Sequence, residues 1–494
     1  MPLSAIRASI LGVKSASKEL PRPRVPALAG RVEPPATAAR VSRPSSPPSY
    51  LRELTGWGAN HRAACDLREP ETERAVRLAI DSRGAIARGV GRSYGDQAVN
   101  DWGRVIGMSR LDRYLSFDEA SGSLTCEAGV TLAQIIADFA PRGFFPFITP
   151  GTKYVTVGGC IANDVHGKAH HVQGCFSSAV ESMRVLLATG QVVTASREER
   201  PDLFWGMCGG LGLLGVVLTA TIRLRRIETT YFKTRSVRAQ DLDAMLAALE
   251  EYDTQFPYSV ATLNPTATGR NLGGGVLMLG DHAAASDLPP SLAQHPLKVS
   301  GDPRLSVPFE LPEVTLNRWT VPLLNLLIQE KIARGGDIAH YEGFFYPLDF
   351  VGQWNRAYGR RGFTQYQFVI PFDQGAARMR ELLETIVASG ELPFLNVLKR
   401  LGKESGGVLS FPREGYTFAI DFPVRKNTAA LVRRLDAMVC DAGGRIYLGK
   451  DAYVQPDMLR AMYPDAVERF LALKAKYDPA GVFTSDLARR VGLA

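Results

Sequence analysis

Apolar residues at Leu132, Ile135, Ile136 and Phe139 repeat with the 3.6-residue period of a helix, and Thr131 stands where a capping side chain belongs. Before it, the pattern predicts a helix over 71–79 and short strands at 85–90, 105–108 and 123–128. After it, 183–188 and 191–195 form two apolar runs joined at Thr189-Gly190, a hairpin pattern. Pro201-Asp-Leu-Phe-Trp opens a further helix, and 216–224 reads as a strand. The strands are short and follow no regular βαβ series, so the fold class is α+β. From about 230 to 430 strands such as 363–370 and 416–422 alternate with helices such as 376–389, which predicts a second domain on an antiparallel sheet. Residues 281–316 are rich in Pro, Ser and Gly and read as a long mobile loop. The segment from 443 onward returns to helices.

Composition changes this picture in two places. The chain of 494 residues has a formal charge of +8, but residues 1–49 alone carry +6 and nine of the 31 prolines. That stretch cannot bury enough apolar surface to offset its ordering entropy, and reads as a disordered basic tail. The other 445 residues carry only +2, without the basic patch of a nucleic-acid protein. The six cysteines form no C-x-x-C pair and have irregular spacing, which argues against zinc and against a disulfide scaffold. Residues 203–222 are uncharged but hold five glycines, so they read as buried helix, turn and strand rather than a membrane span.

Candidate chemistry concentrates in 150–171. Gly151, Gly158, Gly159 and Gly167 let the backbone approach a ligand, Thr156, Asn163 and Asp164 offer hydrogen bonds, and His166, Lys168, His170 and His171 offer donors and charge. Such a run suits a diphosphate, although alone it is equally a solvated glycine-rich loop. Gly210-x-Gly212-x-x-Gly215 matches a dinucleotide fingerprint in the wrong order, helix before strand, so these glycines read as tight packing. Arg92, Ser93 and Tyr94 follow a strand and could face a phosphate. Gln365 and Gln367 share one face of a strand, with Tyr366 on the other. Lys399 and Lys450 are ambiguous between surface and site roles, and Asp421 reads as structural. No Ser-His-Asp or H-E-x-x-H pattern supports hydrolysis.

Several segments together resemble the vanillyl-alcohol-oxidase class of FAD proteins, with the p-cresol methylhydroxylase fold. Within it they resemble the decaprenylphosphoryl-β-D-ribose 2′-oxidase family, the flavin half of a 2′-epimerase. The matching stretches are 87–97, 151–171, 203–221, Trp354-Asn-Arg-Ala-Tyr-Gly359, Gln365-Tyr-Gln-Phe-Val-Ile-Pro371, 394–399 and 447–451 through 490. The resemblance implies an FAD-binding domain at 50–229, a substrate domain at 230–444 and a C-terminal segment, 445–494, completing the first. It implies FAD bound by Ala87, Arg88, Gly89, Val90, Gly91 and Arg92, continuing through Ser93, Tyr94, Gly95, Asp96 and Gln97. The second loop would contribute Gly151, Thr156, Val157, Gly158 and Gly159, then Asn163, Asp164, Val165 and His166, with Val217 and Tyr447 also in contact. Lys168, Gln365, Gln367, Lys399 and Lys450 would bind substrate, and Lys450, His166 and Gln367 would act in catalysis. Many relatives attach the flavin to a histidine of the first loop; Tyr94 occupies that loop here and no histidine lies between 62 and 165, so dissociable FAD is expected.

The implied reaction oxidises the 2′-hydroxyl of a polyprenyl-phosphoryl β-D-ribofuranose to a 2′-keto sugar, hydride passing to flavin N5, in the making of arabinan precursors for the cell wall. An NADH-dependent short-chain reductase would complete the epimerisation. A lipid-linked substrate implies work at the surface of the inner membrane, from the cytoplasm or at its periplasmic face. A soluble sugar or alditol oxidase of the same class, and a non-catalytic flavin- or glycolipid-binding partner, are the competing readings. One departure stands out: Ala419 occupies a strand position where the family's drug-target member has the cysteine captured by nitro-aromatic inhibitors.

Overall fold

The computed structural model describes residues 50–80, 84–303, 305–317, 319–391 and 393–494; the basic tail of residues 1–49 lies outside them. The first layer is a four-stranded sheet in the order Arg52–Thr55, Arg62–Arg68, Arg104–Gly107, Ala85–Arg88, the last three parallel. Its outer edge is extended by the far end of the chain. Ala85 N–H donates to Val482 O at 2.8 Å, and Thr484 N–H donates to Ala85 O at 3.0 Å.

A second, antiparallel sheet runs Tyr114–Asp118, Ser123–Glu127, Val216–Arg226, Val180–Leu186, Val192–Ser196, and Phe144–Pro146 pairs with the end of the long central strand. That central strand outruns its apolar run by two charged residues. Arg225 and Arg226 stay in it because their guanidinium groups lie 4.8 Å from the ring centroids of Phe147 and Phe144. Helix Leu132–Phe139 starts as its spacing predicts. Thr131 Oγ1 accepts from Gln134 N–H at 3.2 Å, Gln134 Oε1 accepts from Thr131 N–H at 2.8 Å, and Leu132, Ile135, Ile136 and Phe139 are buried. The uncharged stretch forms helix Pro201–Met207, a turn and the central strand. Its glycines serve packing: a Cβ on Gly210 would sit 2.0 Å from Gly206 O.

The third layer is an eight-stranded sheet, in the order Ile338–His340, Tyr231–Ala239, Gly275–His282, Tyr258–Leu263, Asn396–Leu401, Gly415–Pro423, Phe363–Ile370, Arg445–Ile446. Every pairing along it is antiparallel. Directly paired residues share a face, so alternation divides the sheet cleanly. Tyr366, Phe368, Phe418, Ile420 and Leu398 are buried toward helices Phe372–Ala388 and Thr428–Asp441, and Tyr366 Oη donates to Asp436 at 2.9 Å. The other face carries polar side chains.

The stretch 281–316 corrects the expectation of a mobile loop. It contains helical turns at Ala285–Asp287, Pro290–Ala293 and Glu313–Thr315, and Leu305–Ser306 pairs in parallel with Val351–Gly352. Its backbone is held by distant groups: Thr230 donates to Pro296 O and Lys298 O, and Arg356 to Val307 O and Pro308 O. Composition reports the lack of an apolar period here, but not these tertiary hydrogen bonds. Helix Thr320–Ala333 follows.

Candidate active site

The polar face of the large sheet is the floor of the site. Register places Gln365 opposite Asp421, Gln367 opposite Ala419, and Lys399 opposite Thr417 on three adjacent strands. Asp421 is fully buried and accepts from Tyr358 Oη at 3.0 Å and from Gln365 Nε2. Gln367 Nε2 lies 3.0 Å from His166 Nε2 and 3.1 Å from Thr417 Oγ1, which donates onward to Phe368 O. Ala419 sits between Gln367 and Val397, an inert methyl in the middle of this floor.

Two loops face the floor. The first, 87–97, leaves strand Ala85–Arg88 and is clamped from both sides. Trp57 N–H donates to Ser93 O at 2.7 Å, Gly58 N–H to Tyr94 O at 3.0 Å, and Tyr94 N–H to Gly449 O at 3.2 Å. Asp96 accepts both arms of Arg490 at 2.8 Å, and Arg490 also reaches Asp451 at 3.0 Å. Arg88 donates to Thr55 O and Ala98 O. The side chains of Arg88 and Asp96 therefore hold the loop and are not free for a phosphate, whereas Arg92 stacks 3.8 Å over Trp57 and Val90 is exposed.

The second loop, 151–166, enters with Thr152 Oγ1 and Lys153 N–H donating to Asp349 at 3.0 and 2.9 Å, and Lys153 Nζ to Glu342 at 2.8 Å. Helix Val157–Ala162 starts at Thr156, whose hydroxyl accepts from Gly159 N–H at 3.2 Å. The side chains of Val157 and Val165 are buried in the main apolar core, as is Val217, so these residues offer backbone only. Gly151 has open space around a would-be Cβ, so its position does not demand glycine. Asp164 takes a left-handed backbone (φ 40°) and spends its carboxylate on Ser177 N–H, Ser405 and Ser410. Tyr447 stacks on Phe411 at 4.9 Å and donates to Asn163 O at 3.1 Å. The two loops touch at Gly89, where a Cβ would fall 2.2 Å from Thr156 Oγ1. Gly89→Ala should therefore prise them apart and weaken FAD retention about tenfold or more, read by fluorescence titration of the apoprotein; unchanged affinity would show that the loop contact is dispensable.

Electrostatics set the site apart. Lys168, Lys399 and Lys450 line it with only part of their surface reachable by water. Burial together with the Lys399 charge lowers Lys168 and Lys450 to about 7, with Asp421 opposing the shift at Lys450, and burial lowers Lys399 to about 8. Burial also raises Asp421 to about 7, opposed by Gln365, Tyr358 and Lys450. His166 is driven well below the imidazole range, by burial first and then by Lys399, His170 and Lys450, so it is neutral. Lys168 donates to Phe344 O and lies 4.6 Å from the Phe344 ring, while Lys450 Nζ lies 5.5 Å from the Tyr94 ring of the first loop.

Several buried polar atoms facing these loops and this floor have no hydrogen-bond partner among the described residues. They are Arg92 Nε, Gln97 Oε1 and Asn163 Oδ1 on the loops, and His166 Nδ1 and Gln367 Oε1 at the floor. Unpaired groups of this kind are costly, and those on the two main-chain loops and the inner floor fit a polar ligand such as FAD. Sequence reasoning left Asp421 as structural and gave Tyr358 no role, yet both belong to this arrangement. The available signal was a lone carboxylate in an otherwise largely apolar strand.

An FAD binding domain model matches residues 68–196, and a D-arabinono-1,4-lactone oxidase model matches residues 360–491. Decaprenylphosphoryl-beta-D-ribose oxidase of Mycolicibacterium smegmatis is 36% identical over 456 residues, 90% of this chain and 98% of that protein. L-gulono-1,4-lactone dehydrogenase of Mycobacterium tuberculosis is 24% identical over 413 residues, 82% of this chain and 89% of that one. Cytokinin dehydrogenase 2 of Arabidopsis thaliana is 28% identical over 164 residues, 32% of each. With full-length similarity at this level, two clamped loops and a polar floor that fit the cofactor, the chain is an FAD-dependent oxidoreductase and belongs to the decaprenylphosphoryl-β-D-ribose oxidase family.

Proposed function

We propose that the protein oxidises the 2′-hydroxyl of a polyprenyl-phosphoryl β-D-ribofuranose to the 2′-keto sugar, the first half of a 2′-epimerisation toward an arabinose donor for cell-wall arabinan. The observation that carries this is a charge imbalance. Three ammonium groups, Lys168, Lys399 and Lys450, converge on a floor that holds the single carboxylate Asp421 among the described residues named there. Each ammonium is disfavoured by its burial, and an anionic substrate relieves that. A free sugar or lactone would not. This favours a phosphoryl sugar over the soluble sugar or alditol oxidase suggested by the lactone-oxidase match.

FAD, held without a covalent bond between the two loops, supplies the two-electron acceptor. The first loop and residues Thr156–Gly159 would cradle its diphosphate, and residues 50–229 with 445–494 would form the domain that holds it. Residues 230–444 supply the substrate floor. Gln367 and His166 position the sugar. Two proton arrangements satisfy their contact: the amide donates to His166 and to Thr417 Oγ1 and His166 carries its proton on Nδ1, or the amide is turned, giving up the bond to Thr417, and Nδ1 is left with a free lone pair. In the second, His166 Nδ1 can take a proton from a hydroxyl. Lys399 and Lys168 bind the phosphate. Lys450, 5.5 Å from the Tyr94 ring, would supply positive charge to stabilise the reduced cofactor. Gln365, fixed by Asp421, shapes the wall.

An NADH-dependent short-chain reductase then reduces the keto sugar, and a quinone or oxygen reoxidises the enzyme. The protein works at the inner membrane surface; no helix among the described residues is long and apolar enough to cross a membrane. Anaerobic addition of a farnesyl-phosphoryl ribose should bleach the yellow holoprotein, while free ribose or ribitol at the same concentration should leave it oxidised. Bleaching by the free polyol alone would establish the soluble-oxidase reading, and a yellow protein that no sugar bleaches would make it a binding partner.

A further inference from the structure

The surface holds an apolar face that the reaction itself does not use. Of the fourteen large apolar side chains exposed among the described residues, nine fall between 305 and 350. Their centre is helix Thr320–Ala333, which is built inside out. Its buried residues are Val321 and Asn325, whereas Leu323, Leu324, Leu326 and Leu327 are 54%, 38%, 57% and 43% exposed. The buried Asn325 Nδ2 has no hydrogen-bond partner among the described residues. A helix selected to face water on its outer side would carry the opposite arrangement. It is nevertheless firmly seated: Ser236 Oγ donates to Ile332 O at 2.9 Å, and Arg238 pairs with Glu330 at 2.7 Å, both from the neighbouring strand of the large sheet.

We infer that this face, helix Thr320–Ala333 with Phe350 and the turn at Val314, docks on the lipid bilayer surface and brings the site to its substrate. The inference rests on the lipid-linked substrate read above. Two further observations point to a membrane as the occupant. The patch has a net-positive rim suited to anionic headgroups: Lys331 lies 5.6 Å from the exposed Phe350 ring, exposed Arg334 and Arg238 share the one carboxylate of Glu330, and exposed Arg361 pairs with Glu313 beside Val314. The patch is also rooted in the wall of the site. Val321 and Leu316 pack in one cluster with Tyr358 and Phe363, and Tyr358 is the residue that holds Asp421. A sugar on a short phosphate linker could therefore reach the floor while its chain remained in the bilayer.

The test uses the full-length holoprotein and a triple variant, Leu323→Ser, Leu326→Ser and Leu327→Ser. Both are floated with vesicles of phosphatidylcholine alone and of phosphatidylethanolamine with phosphatidylglycerol. Both proteins keep the basic tail, so its contribution cancels. The wild type should partition onto both vesicle types, and the variant should lose about tenfold or more on each. Flavin absorbance and turnover of a soluble short-chain polyprenyl-phosphoryl ribose should be unchanged in the variant, while turnover of a vesicle-embedded long-chain substrate falls with partition. A wild type that stays off neutral vesicles, or a variant that partitions equally, overturns the inference. So does a wild-type dimer that the variant converts to monomer, since the face would then be a subunit interface. Failure of the wild type to oxidise the soluble analogue would instead remove the functional reading, whatever the flotation shows.

Discussion

Lys450→Ala is expected to keep its FAD and its fold and to lose about a hundredfold or more in the rate of flavin reduction, because a preorganised charge in a water-poor site contributes a few kcal/mol to the transition state. The position explains the expectation. Lys450 N–H donates to Tyr447 O at 3.0 Å in a turn, and that same turn accepts Tyr94 N–H through Gly449 O. The backbone that fixes the ammonium is therefore the backbone that fixes the first loop. Removing only the side chain leaves this scaffold in place, so the absorption spectrum of the variant should match the wild type.

The same residue predicts a pH dependence. Burial and then the Lys399 charge lower Lys450, Asp421 opposes both, and the balance lies at about 7. The charged form is the active one, so activity is present at low pH and falls as pH rises through about 7. Lys168 and Lys399 discharge in the same region, so substrate binding weakens on the same side. Lys450→Arg retains its charge throughout and should move the alkaline fall of the reduction rate upward, at a reduced maximum because a planar fork replaces a compact ammonium. Stopped-flow reduction across pH measures both effects. Near-normal reduction by Lys450→Ala would take the residue out of the chemistry.

Legibility in the sequence followed the range of the interactions. Helix Leu132–Phe139 was readable because its cap, its box partner and its buried stripe all lie within nine residues. Strand Phe363–Ile370 was readable because a period of two needs no partner, and it gave the shared face of Gln365 and Gln367 directly. What those two side chains touch was not readable. Asp421 and His166 are 56 and 201 residues away and meet them only once the sheet is laid across the loops. The 281–316 stretch misled for the same reason, its hydrogen bonds coming from Thr230 and Arg356. Helix Thr320–Ala333 escapes periodicity altogether, since its apolar side chains are not on its buried side.

Asp164 gives the second large effect, and it separates two roles that sequence alone conflates. The resemblance makes it a cofactor contact, but its carboxylate is fully buried and accepts from Ser177 N–H at 2.9 Å, Ser405 Oγ at 2.6 Å and Ser410 Oγ at 2.7 Å. It thereby ties the second loop to the helical turn Phe176–Ser178 before the next strand and to segment 405–410 of the other half of the chain. Asp164→Ala would orphan two buried donors and one half-buried donor and place a Cβ-bearing residue without a local hydrogen bond at a left-handed position, a loss of about 3 kcal/mol or more. Asp164→Asn, which tolerates that backbone and keeps one acceptor oxygen, should fall between. Urea unfolding of the apoprotein and FAD titration together read the outcome. A scaffolding role lowers the apoprotein midpoint and FAD affinity in step, because the loop that holds the cofactor is loosened before any ligand arrives. A direct contact would weaken FAD binding and leave the apoprotein midpoint where it was, and that result would return Asp164 to the cofactor.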